Sequence, residues 1–176
     1  MISLLYNLII AVSFFSLQHD GNYIDWKADR KLTWNDFIGK PDKNSPNAAL
    51  TSSAINIDFT YGTDGLKYNL RCRFNKNTSW VKVKNDYILS HEQGHFDITE
   101  IFARRLYKAL KEYKYNDATV KDDVNRIYDN SMHQLHDTQV QYDRETNSSL
   151  NTVKQAEWLK KISDELNELR DYANYN

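Results

Sequence analysis

The strongest constraint on this chain is a change of period. Between residues 55 and 74 apolar residues alternate with polar ones, first Ile55, Ile57, Phe59 and Tyr61, then Leu66, Tyr68, Leu70, Cys72 and Phe74. Side chains on a strand point alternately to its two faces, so each run predicts a strand with one buried face. Gly62-Thr63-Asp64-Gly65 lies between the runs and supplies the turn of an antiparallel hairpin. A third short strand is expected from Ser79 to Val83. From Asn85 the period becomes helical: Ile88, His91, His95, Ile98, Phe102, Leu106, Ala109 and Tyr113 recur at steps of three and four. Asn85 or Asp86 can cap that helix. A second helix is expected to follow the polar break at Asn116-Asp117, with a stripe of Val120, Val124, Ile127, Leu135 and Tyr142, and to run to about Thr146. A third is expected over about 151–173, with Val153, Ala156, Ile162, Leu166 and Leu169 inward. Strands first and helices after them define an α+β class: an N-terminal antiparallel sheet followed by three helices.

Composition narrows the function classes. The 176 residues suit one domain, expected over 20–176, and carry 23 basic against 24 acidic side chains, for a formal net charge of −1. No basic run accompanies that balance, which argues against a nucleic-acid partner. The single cysteine, Cys72, excludes an internal disulfide and a cysteine-built zinc site, and its step with Leu70 and Phe74 makes it a core residue. Residues 1–19 stand apart. Leu4 to Leu17 is almost continuously apolar and then stops at Gln18-His19-Asp20. That run is shorter than the ~20 residues of a spanning helix and suits the core of a signal peptide. An exported protein is therefore expected, periplasmic or extracellular, with any membrane contact made through this segment if it stays uncleaved. A buried N-terminal helix is the alternative reading. The oligomeric state is left open.

The chemistry-bearing feature is His91-Glu92-Gln93-Gly94-His95 on the first long helix, an H-E-x-x-H spacing. Residues four apart stack on one helix face, so both imidazoles can reach a single metal ion. Glu92, one step round, can contact a water at that ion without joining its ligand plane, as a general base would. Both histidines fall on the inward stripe, where an unpaired polar group is costly. Gly94 is a poor residue for a helix interior unless something approaches the backbone closely. A catalytic Zn2+ site needs a third protein ligand and an open position. No further histidine follows His95 at metzincin spacing, so the third ligand must come from elsewhere. Tyr142-Asp143-Arg144-Glu145-Thr146 on the second helix offers two carboxylates, and Asp143 or Glu145 is the candidate. His133 and His136 are expected to be exposed, Asp97 and Glu100 to be supporting or surface groups, and Trp26, Trp34 and Phe37 to line a groove or the core.

Three blocks in order resemble the bacterial domain of unknown function 922 family. They are Leu32-Thr33-Trp34-Asn35-Asp36-Phe37-Ile38-Gly39-Lys40-Pro41 with Ala48-Ala49-Leu50-Thr51, then Ile88 through Arg104, then Tyr142 through Thr146 with Gln155 and Trp158. Members of that family are described as secreted zinc-dependent proteases. The resemblance implies a zincin-like metallopeptidase acting on a peptide or protein substrate, with His91 and His95 as zinc ligands and Glu92 as base. Tyr142 is a candidate to stabilise the oxyanion, with a core tyrosine as the alternative. Members commonly carry a histidine shortly after the third block, where this chain has Ser148. That departure motivates a second reading, a metal-stabilised but catalytically inactive binding or structural protein. A third is a helical-core domain without metal, in which the histidines only pack.

Overall fold

The computed structural model describes residues 21–175, so the apolar run Leu4 to Leu17 lies outside the described residues. The elements run β1 (Tyr23–Asp25), β2 (Ala49–Leu50), β3 (Ser53–Gly62), β4 (Gly65–Asn75), β5 (Trp80–Val81), α1 (Asp86–Glu112), α2 (Val120–Thr146) and α3 (Thr152–Glu168). This is the α+β order that the change of period predicts, an antiparallel sheet followed by three helices. β3 and β4 pair from Ser53↔Phe74 to Gly62↔Gly65, which leaves Thr63 and Asp64 as a two-residue turn. Gly65 closes it at φ 83, a left-handed conformation that glycine adopts without steric penalty. Ile55 sits opposite Cys72 and Ile57 opposite Leu70, so one face of the hairpin presents apolar side chains to α1.

The third strand of this sheet is β1, paired to the other edge of β4, within a stretch that showed no strand pattern. The strand expected at Ser79–Val83 is shorter and pairs with β2 in a separate two-stranded sheet. The N-terminal block explains itself structurally. Arg30 donates to both oxygens of the buried Asp36 carboxylate, at 3.0 and 2.7 Å, and the same carboxylate accepts from the Thr33 amide at 2.7 Å. Phe37 meets Phe74 edge-on with ring centroids 5.1 Å apart. Gly39 lies so close to the chain at 77–79 that a Cβ there would come within 2.7 Å of the Ser79 carbonyl oxygen. Trp26 donates its indole N–H to Asp97 at 2.7 Å. These aromatics serve packing rather than a groove.

α1 starts on Asn85, whose side chain accepts from the Ile88 amide at 2.7 Å. It then runs through the middle of the molecule, with β3 and β4 on one side and α2 and α3 on the other. Its centre, Phe96 to Arg104, is therefore buried all round rather than along one stripe. Polar side chains caught there are paired. Glu100, 1 % exposed and not at the surface, binds Arg104 at 2.8 Å and the hydroxyl of Tyr175. Arg104 also donates to the Leu166 carbonyl at 2.7 Å. α3 buries Gln155, Trp158 and Ile162, so its inner face is rotated from the expected one and Val153 is 66 % exposed. No helix among the described residues is long and apolar enough to cross a membrane.

Candidate metal centre

α1 and α2 cross with His91 and His95 of one facing Asp143 of the other. The two imidazole Nε2 atoms lie 3.2 Å apart, and Asp143 Oδ1 is 3.1 Å from the first and 3.0 Å from the second. Three ligand atoms thus converge on one point. A tetrahedral zinc ion with bonds of about 2.0 Å holds its ligand atoms about 3.3 Å apart, so the triangle fits such an ion with little adjustment. His91 is buried and His95 nearly so, while the Asp143 side chain is 43 % exposed, which opens the cluster toward solvent on the α2 side.

Each histidine is held from behind. Gln155 of α3 places its Oε1 2.9 Å from His91 Nδ1, and the Oε1 of Gln139 on α2 accepts from His95 Nδ1. A carboxamide oxygen only accepts, so both Nδ1 atoms carry a proton. Each Nε2 points to the cluster centre, donating to Asp143 when protonated and offering a lone pair to a metal ion when not. Gln139 is fixed in turn by donating to the His95 carbonyl at 2.9 Å and to Thr99 Oγ1 at 3.2 Å. Gln155 Nε2 is left without a partner in the interior. Burial works to raise the Asp143 carboxyl, but hydrogen bonds and charge from both histidines outweigh it and hold Asp143 well below the usual carboxylate range. For His95, burial works against the charged form and loses to the hydrogen bond and charge of Asp143, so its pKa is raised. The three groups bear on one point that a divalent cation can take over from the proton.

Tyr142 and Glu145 do not occupy the places first considered for them. Tyr142 is fully buried, stacks on the His91 ring at 4.5 Å, and donates its hydroxyl to the His91 carbonyl at 3.3 Å. Burial, the first cause, and the neighbouring carboxylates raise its pKa far above the ordinary value. It supports the imidazole from beneath and is not an oxyanion donor in this arrangement. Gly94 exists for it: a Cβ at Gly94 would stand 2.5 Å from the Tyr142 hydroxyl. Glu145 turns outward instead, accepting from Trp158 Nε1 and Gln141 Nε2, each at 2.8 Å. Two residues along a helix is more than half a turn, so Asp143 and Glu145 cannot share a target. His133 and His136 are exposed on α2, away from the cluster.

A cavity of about 370 Å³ opens over the cluster, lined by His91, Glu92, His95, Gln139 and Asp143 on the helical side and by Asn47–Ser53 on the other. Glu92 is 4 % exposed, and its Oε2 has no hydrogen-bond partner. A buried carboxylate oxygen left unpaired costs roughly 1–3 kcal/mol or more. The cavity wall is completed by the turn after α2, where Asn147, Ser148 and Ser149 have φ of 49, 47 and 78. Left-handed conformations in non-glycine residues cost on the order of 1 kcal/mol or more each. The glutamines, the β2 segment and this turn are parts of the site that spacing within the sequence does not reveal; Gln155 and residues 48–51 carried a signal only as parts of the resemblance blocks, and Ser148 only as a departure from them.

Fold and site together define an α+β protein with a His-His-carboxylate cluster at the crossing of its two long helices. The chain belongs to the family described as bacterial protein of unknown function (DUF922), whose model matches residues 17–149. No curated protein and no solved structure matches it.

Proposed function

We propose that this protein is a zinc-dependent hydrolase of zincin-like type, a metallopeptidase that works outside the cytoplasm. One observation carries the reading: three ligand atoms converge within 3.2 Å of one another, and the buried Glu92 beside them keeps an oxygen without a partner. His91, His95 and Asp143 would hold the ion. Zinc there would supply Lewis acidity, lowering the pKa of water to about 7 and polarising a carbonyl group. Glu92 then takes a proton from the attacking water and returns it to the leaving amine. Gln155 and Gln139 keep both imidazoles in the tautomer that can ligate.

A peptide is the substrate that the cavity suits. In the β2–β5 ladder the Lys82 amide donates to the Ala48 carbonyl at 2.7 Å. The register Ala49↔Val81 and Leu50↔Trp80 then turns the main-chain amide and carbonyl of Ala49 and Thr51 away from β5. Both residues line the cavity. Their spacing of about 6.8 Å matches the two-residue repeat of an extended peptide, which can pair there as an added strand. The apolar run Leu4 to Leu17 supports export.

The test is metal content by mass spectrometry together with turnover of a quenched peptide library. Wild type should hold about one zinc, the His95→Ala variant should lose it, and Glu92→Gln should keep it while turnover drops roughly 10²–10⁴-fold. Equal turnover in Glu92→Gln removes that residue from the mechanism. A catalytically inactive metal protein is favoured by one feature, Ser148 at the position where the resemblance leads one to expect histidine. It predicts zinc in wild type with no cleavage of any peptide.

A further inference from the structure

Hydrolysis needs a donor for the negative charge that develops on the carbonyl oxygen. The Ala49 and Thr51 amides are taken up by the main chain of the added peptide strand, and most other donors around the cavity are committed within the protein. No lysine or arginine is among its described lining residues. Both histidine Nδ1–H groups face glutamines, and the Tyr142 hydroxyl faces the His91 carbonyl. Thr51 donates to the Glu92 carbonyl at 3.1 Å, and Ser53 shares a 2.6 Å hydrogen bond with Thr99. The turn after α2 differs. The amides of Asn147, Ser148, Leu150 and Asn151 all have acceptors in the chain, Ser148 on the Asp143 carbonyl at 2.8 Å. The Ser149 amide has none, and neither do the hydroxyls of Ser148 and Ser149, although Ser149 is only 5 % exposed. Among the described residues, Asn147, Ser148 and Ser149 are also the only non-glycine residues at positive φ. The strained backbone and these uncommitted donors therefore coincide, at the cavity wall, on a turn whose Ser148 amide is hydrogen-bonded to the Asp143 carbonyl.

We propose that this turn is the oxyanion-holding element of the site, with the hydroxyls of Ser148 and Ser149 and the Ser149 amide donating to the substrate's carbonyl oxygen. The assignment rests on the hydrolase reading above. As water adds to the carbonyl carbon, its proton passes to Glu92 and the carbonyl π pair moves onto oxygen, where the turn receives the charge. On collapse that pair re-forms the C=O bond. The C–N bond breaks with its electrons on nitrogen, and nitrogen takes the proton held by Glu92. Donors set in advance where charge develops stabilise the transition state without reorganising. That advantage gives a strained backbone a reason to persist.

The test uses methylphosphonate, a tetrahedral oxyanion, titrated calorimetrically into the zinc-loaded full chain. The Ser148→Gly/Ser149→Gly pair removes both hydroxyls while accepting positive φ, and the Ser148→Ala/Ser149→Ala pair checks it without added flexibility. Zinc content and melting temperature are recorded for each. Wild type should bind the phosphonate, and both pairs should bind it at least ten-fold more weakly with zinc content unchanged. Absent binding in wild type, or equal affinity in the variants, overturns the proposal. A wild type that takes up no zinc sinks the metallopeptidase reading separately. The same titration of the metal-free protein then reads the turn alone: weakening in the variants supports it as an anion-holding element, and no effect overturns it.

Discussion

Gly94 and Tyr142 form a lock at the scale of single residues. The tyrosine ring is held between His91 and Trp158, with ring centroids 4.5 and 5.4 Å away, so it cannot move to admit a methyl group at position 94. Gly94→Ala should therefore destabilise the protein by about 1–3 kcal/mol despite alanine's better helix propensity. Adding Tyr142→Phe should recover part of that loss, a coupling that a double-mutant cycle in urea measures. The glutamines behind the histidines make a second residue-scale prediction. Gln155→Ala or Gln139→Ala should weaken zinc affinity roughly 10–100-fold, read by competition with a chelator, because the imidazoles lose the acceptors that fix their tautomer. His91 and His95 were legible in the sequence because a four-residue spacing stacks them on one helix face, and Glu92 because it stands one step round from them. Asp143 was legible only as one of two carboxylates. The choice between it and Glu145 depends on how α2 is rotated against α1, which packing sets. The role of Gln139 exists only across two elements, and nothing within its own stretch of chain marks it.

At the scale of elements, the short helical turn at Trp34–Asp36 is organised by one carboxylate. Burial works to raise the pKa of Asp36, but Arg30 and Thr33 outweigh it and the carboxyl is held below its ordinary value. A lowered folded-state pKa contributes stability that is fully present above the unfolded value, about 3.9, and is lost as pH falls through the folded one. Melting temperature should fall on acidification below about pH 4, and Asp36→Asn should flatten that part of the profile while lowering the plateau above it. The same scale explains what periodicity caught and missed. The β3–β4 hairpin has one face on α1, so its alternation is clean. β1 has three residues, too few for a period to show. The spacing in α1 predicts one inward stripe, yet a helix with a sheet on one side and two helices on the other has no outer face at its centre. That is why Asp97, Glu100 and Arg104 are buried and paired. In α3 the polar Gln155 holds an inner position, so apolar residues alone gave the wrong rotation.

For the whole molecule, the proposed site predicts that zinc stabilises the fold. Ligand present at about 1,000 times its dissociation constant adds about 4 kcal/mol, and for a chain of this size that raises the melting temperature by roughly 8–16 °C. The shift should vanish with a chelator and in His95→Ala; an identical melting curve with and without zinc would mean that the histidines only pack. The C-terminus makes a second global contribution, since Tyr175 reaches back to the buried Glu100. Tyr175→Phe removes a donor from a carboxylate that is 1 % exposed and should cost about 1–3 kcal/mol by thermal or urea denaturation.

The reach of α3 has a consequence for how the molecule is partitioned. The family model ends at Ser149, and all three prospective ligands lie before that point, whereas the acceptor that orients His91 and the indole under Tyr142 come after it. Grip and alignment are thus written on different lengths of chain. A protein cut at the family boundary would keep every atom needed to seize an ion and lose the brace that aims one of them. The last helix works as a keeper bar across a latch whose jaws are complete without it.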